Sequence, residues 1–83
     1  MDQHSRIIDR SYVGEILQRM YVSQLDPSVS LVLDRGYFYL VIADKRIALE
    51  GTSIEEAVTH MALRVGKEFP TSSFAEWWNN SFV

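Results

Sequence analysis

The stretch SVSLVLDRGYFYLVIADKRIALEG, residues 28–51, decides the fold. Val29, Leu31 and Leu33 alternate with polar or smaller neighbours, the period of a strand with one buried face. The triplet Asp34-Arg35-Gly36 then supplies a short loop in which Gly36 can take the left-handed conformation. Tyr37 to Ala43 returns as a strand rich in aromatic and β-branched residues, apolar on both faces, and so reads as the central one. Ala43 to Arg46 can turn the chain again into a third, shorter strand around Ile47 and Leu49. A three-stranded antiparallel meander is predicted.

On either side the apolar period changes from two to about 3.6. Upstream, Val13, Ile16, Leu17, Met20, Tyr21 and Leu25 recur at helical spacing, with Asp9 or Ser11 as the N-cap. Leu25-Asp26-Pro27-Ser28 ends that helix, because the residue before a proline is pushed out of helical geometry. Gly14 weakens it by up to about 1 kcal/mol relative to alanine, for which a close packing contact would account.

Downstream, LEGTSIEEAVTHMALRVG, residues 49–66, looks at first like a binding site. The same residues make a helix start. Gly51 ends the strand, and Ser53 with Glu56 forms a capping box, with Thr52 and Glu55 offering the same pairing one residue earlier. Ile54, Ala57, Val58, Met61, Ala62 and Val65 line one face, Gly66 stands where a C-cap glycine belongs, and Pro70 follows. A second capping box, Ser73 with Glu76, opens a short helix whose Phe74, Trp78 and Phe82 share one side, with Trp77 adjacent.

The predicted fold is therefore α+β: helix, three-stranded antiparallel meander, helix, short C-terminal helix, with the helices in a single layer on one sheet face. Eighty-three residues make one domain with room for one core, and residues 1–8 are expected to be mobile. A hydrophobic fraction of 47% and a charged fraction of 23% are ordinary globular usage, so the chain should fold by packing alone. Cysteine is absent, which removes thiolate catalysis and cysteine-held zinc. No stretch approaches a signal peptide or membrane span, and a cytoplasmic protein without membrane contact is expected.

Catalytic motifs are missing: there is no nucleophile elbow, no phosphate-cradling glycine loop and no acid-base pair, since Glu55 and Glu56 point in different directions from one helix. An enzyme is not expected, and no cofactor is implied. His60 follows Glu56 at a spacing two metal ligands could share, but no third ligand is evident, so His60 is read as a solvated residue partnered by Glu56.

The order helix, three strands, helix resembles that of double-stranded RNA-binding domains. Such domains need basic residues at the start of the last helix, and here Glu55 and Glu56 stand there. The net charge of −3 is also the wrong sign for a general phosphate binder. Arg6, Arg10, Lys45 and Arg46 remain as the contacts of an alternative nucleic-acid reading. GYFYLVIA followed by EGTSIEEAV is similar to the hairpin, strand and helix of HicB-type antitoxin domains over about a third of the chain. The proline-containing segment between strands is missing and a leading helix is added, so no family follows from it.

The sheet carries the stronger signal. If Phe38, Leu40 and Ile42 face the helices with Leu31, Leu33, Ile47 and Leu49, alternation sends Tyr37, Tyr39 and Val41 the other way, with Val32 and Ala48 beside them. Either the C-terminal aromatic helix wraps over this patch or it is a contact surface. The expected function is a non-enzymatic protein-interaction module, a small regulator or inhibitor of the bacterial or phage accessory type that binds a larger protein partner. Tyr37, Tyr39, Val41, Trp77 and Trp78 are the expected contacts, and a homodimer through the sheet face is the competing version.

Overall fold

A computed structural model describes residues 8–82. Among them lie three α-helices and one antiparallel sheet: α1 Val13–Val22, β1 Val29–Asp34, β2 Tyr37–Ile42, β3 Lys45–Ala48, α2 Ile54–Glu68 and α3 Ser73–Phe82. The strand order is β1-β2-β3, as the meander requires. Residues 1–7 lie outside the described part, and with them most of the expected mobile terminus. Ile8 is described and anchored: its amide donates to Thr59 Oγ1 at 3.0 Å.

The hairpins are tight because of backbone sign. Arg35 and Gly36 both have positive φ, 53° and 84°, as the favoured two-residue turns demand, so Asp34 pairs directly with Tyr37. The second hairpin closes Ile42 on Lys45 through Ala43, also at positive φ. Register then follows. Leu31, Leu40 and Ile47 oppose one another on the helix-facing side, while Val32, Tyr39 and Ala48 do so on the other.

The core forms where Leu40, Ile42 and Leu49 meet Ile16 and Met20 of α1, the buried stripe of α2, and Phe74 and Trp78 of α3. All three helices occupy the same side of the sheet. Ser53 caps α2 in a complete capping box, its hydroxyl accepting from the Glu56 amide at 3.1 Å while Glu56 accepts from the Ser53 amide at 3.1 Å. Gly51, at φ 108°, passes so close that a Cβ there would overlap the Cβ of Glu56.

Several local expectations need correction. Asp9 caps a 3-10 turn, Arg10–Tyr12, and α1 proper starts only at Val13. Because α1 stops at Val22, Tyr21 lies in its last turn and is 80% exposed rather than part of the buried stripe. No packing contact explains Gly14: a Cβ there would meet nothing within 4 Å. Gly66 does not end α2, which continues to Glu68 and stops before Pro70, where a pre-proline residue is disfavoured in a helix. Leu33 is on the helix-facing side yet 63% exposed, since β1 runs past the helix layer at that end.

The cap of α3 is shifted as well. Ser72, not Ser73, accepts from the Ala75 amide, at 3.1 Å. Ser23 at the end of α1 adds a cap from outside the helix, accepting from the Phe74 amide at 3.2 Å while bonded to the Ser73 hydroxyl at 3.0 Å. These bonds hold α3 against α1. Tyr12 edges onto Phe82 at 5.3 Å, and the Arg19 guanidinium lies 4.9 Å from the Trp77 ring centre.

Candidate protein-interaction surface

Among the described residues, no helix covers the sheet face opposite the core. Ser30, Val32 and Asp34 from β1, Tyr37, Tyr39 and Val41 from β2, and Arg46 and Ala48 from β3 project from it, as the register dictates. The C-terminal helix does not cover it, because α3 is bonded to α1 on the other side. Tyr37 is 68% exposed.

One side chain crosses this face. Arg46 stands opposite Val41 on β3, diagonal to Tyr39, and a long side chain reaches such a diagonal neighbour. Its guanidinium lies 4.1 Å from the Tyr39 ring centre and donates to Asp34 Oδ2 on the far strand at 2.7 Å. The strap runs β3 to β1 over the central tyrosine. It half-buries Tyr39 beneath a charged roof, which keeps an aromatic sheet compatible with water.

The expected contact residues therefore separate into two groups. Tyr37, Tyr39 and Val41 share the open face. Trp77 and Trp78 do not: Trp78 is only 4% exposed and belongs to the core, stacked between Phe74 and Phe82, and Trp77 is half-buried beside Arg19. Aromatics on one side of a short helix have the same spacing whether that side meets a partner or the protein's own core. Conversely, Asp34 and the strap role of Arg46 were not anticipated; both could have been found by writing out the hairpin register and asking which long side chain reaches across it.

Of the alternative nucleic-acid contacts, Arg6 lies outside the described residues. Arg10 Nε bonds Glu55 Oε2 at 2.7 Å, and Arg46 is held by Asp34, so each of these cations is paired with a carboxylate. Lys45 is exposed at the start of β3.

The start of α2 is built as a cap. The Arg10 guanidinium holds the Glu55 carboxyl below its usual range, and the amide of Thr52, then that of Ser53, does the same for Glu56. His60 is not partnered by Glu56; its Nδ1 accepts from the Glu50 amide at 3.1 Å. Among the described residues no three metal-ligating side chains gather. An open cleft of about 330 Å³ between α1 and β1 is lined mainly by Leu17, Met20, Leu25, Val29, Leu31 and Met61 and has no carboxylate, histidine, lysine or arginine in its wall. The wall is thus mainly apolar, with Tyr21, Gln24, Ser28 and Ser30 completing it.

Comparison with protein-family models, curated proteins and solved structures found no match to this chain. Among the described residues no helix is long and apolar enough to cross a membrane.

Proposed function

We propose that this chain is a non-enzymatic protein-interaction module, a small regulator that presents the open face of its sheet to a larger protein partner. One observation supports the reading above others: Val32, Tyr37, Tyr39 and Val41 share one sheet face, roofed at Tyr39 by Arg46, that no helix covers among the described residues. Tyrosine suits this role because a large apolar ring carries a polar tip and few rotatable bonds. Arg46, fixed over Tyr39 and paired with Asp34, adds a planar guanidinium near the centre of the patch, where arginine and aromatic side chains dominate binding energies.

The test is affinity capture with the wild type beside Tyr37→Glu, each checked for folding by circular dichroism. Tyr37 is exposed, so the variant should fold. A protein retained by wild type and lost from the folded variant supports the face as the contact. Nucleic acid retained equally by both and released by moderate salt would replace the reading with the nucleic-acid alternative.

A further inference from the structure

The two edges of the sheet are unlike. β3 has four residues and carries Lys45 and Arg46, the short charged kind of edge that resists further pairing. β1 has six, reads VSLVLD, and contains no lysine, arginine or proline. With the order β1-β2-β3, its outer side has no partner strand among the described residues. A two-residue hairpin closes on a mutually bonded pair and bonding then alternates, so Asp34, Val32 and Ser30 turn their amide and carbonyl groups towards β2. The second hairpin obeys the same alternation: counting by twos from its closing pair Ile42–Lys45 through Leu40–Ile47 reaches Phe38 and Leu49, and there the Leu49 amide donates to the Phe38 carbonyl at 2.9 Å. Val29, Leu31 and Leu33 therefore direct theirs outward.

Beside this edge lies the apolar cleft. Ser30 borders it although its side chain belongs to the open face, so the cleft reaches the free edge of the strand. At the other end of β1, on the helix-facing side, Leu33 projects 63% exposed. The strand thus has an apolar knob at one end and an apolar hole at the other.

We propose that the β1 edge is a self-association site, at which a second copy of the chain lays its own β1 antiparallel about a twofold axis with Leu31 opposite Leu31. Only registers that oppose outward-directed residues can form the ladder. Of these, the one centred on Leu31 uses all three, pairing Val29 with Leu33, Leu31 with Leu31 and Leu33 with Val29 of the second copy. It sets each exposed Leu33 beside Val29 at the other copy's cleft, the reciprocal contact that a twofold interface requires. It also brings Arg35, whose side chain is 92% exposed, towards the segment preceding the other β1, where Asp26 is exposed. A strand from an unrelated protein could use the same backbone groups, but the paired knob and hole and the opposed charges fit this chain's own copy.

Sedimentation velocity over a range of concentrations tests this. Wild type should convert to the mass of two chains, and Leu33→Lys should weaken association about hundredfold, about tenfold for each of the two insertions. A second variant fixes the register independently. Ser30 faces Val32 of the other copy as a non-hydrogen-bonded pair about 4.5 Å apart at Cα, a span a disulfide closes. The chain has no cysteine of its own, so Ser30→Cys with Val32→Cys should give an oxidised covalent dimer from the folded protein. A single-chain mass at every concentration, or a dimer unchanged by Leu33→Lys in folded protein and not trapped by the cysteines, overturns the proposal. A dimer lost with Tyr39→Glu but kept with Leu33→Lys would overturn it too, in favour of the open face.

Discussion

Arg46→Ala isolates the strap across the open face. The guanidinium makes two contacts, one with the Tyr39 ring at 4.1 Å and one with Asp34 at 2.7 Å, and the two charged side chains keep 46% of their surface in water. An exposed cation–π contact is worth about 0.5–1 kcal/mol, and an exposed ion pair about 0.2–1 kcal/mol. Both depend on the same side chain and do not add fully, so the variant should lose about 1 kcal/mol. For a domain of this size that lowers the unfolding midpoint by about 4–8 °C, within reach of circular dichroism. Salt separates the parts: at about 1 M the screening length falls to about 3 Å, which weakens the Asp34 contribution and leaves the ring contact largely in place. Double-mutant cycles pairing Arg46→Ala with Asp34→Ala and with Tyr39→Leu should each return a coupling below about 1 kcal/mol. A coupling to Tyr39 of zero means that the guanidinium does not rest on the ring. A loss above about 3 kcal/mol means that Arg46 supports the core, and the strap is then misread.

Two further tests address the helices. Gly14→Ala should raise stability by about 0.4–1 kcal/mol, since the added methyl meets open space and a helical glycine is entropically costly; Gly51→Ala should lower it by about 1–3 kcal/mol, because φ is 108° and the new Cβ overlaps Glu56. Urea unfolding reads both, and equal effects of the same sign would refute the distinction. The start of α2 also predicts acid sensitivity. Folding lowers the carboxyls of Glu55 and Glu56 below their usual 4.5, so they contribute stability that is fully present above that value and lost as pH falls through the folded values. Glu55→Gln with Glu56→Gln should flatten the fall in stability below pH 4.5, measured by urea unfolding at successive pH values; an unchanged slope would assign the acid sensitivity to other carboxylates.

What the sequence revealed and what it hid have different physical origins. Gly36, the alternation of β1 and β2, and the Ser53–Glu56 cap are local: each acts within a few residues, and together they predict the order of elements that the structure has. The Arg46 strap depends on register, and register depends on turn length, which the Ala43-Asp44 loop fixes only once Ala43 is known to take positive φ. The cap of α3 by Ser23 joins positions about fifty residues apart, and no local pattern contains it. Trp78 was misplaced for a third reason. A spacing reveals which residues share a helix face, but the face's destination is set by where α2 lies, and Trp78 packs on α2 beside Gly66.

The two proposed contacts have a geometric relation that makes their consequences separable. Pairing through β1 joins two sheets edge to edge about an axis perpendicular to them, so both helix layers stay on one side and both tyrosine faces on the other. Nothing on the open face needs to move, and the strap of each copy remains over its own Tyr39. The dimer would then offer a partner two adjacent copies of one surface, and a partner able to engage both gains by effective concentration without any new kind of contact. Leu33→Lys should accordingly leave the affinity of a single face unchanged while reducing the apparent affinity of a partner that spans two. Tyr37→Glu should weaken binding in monomer and dimer alike, because it alters the face itself.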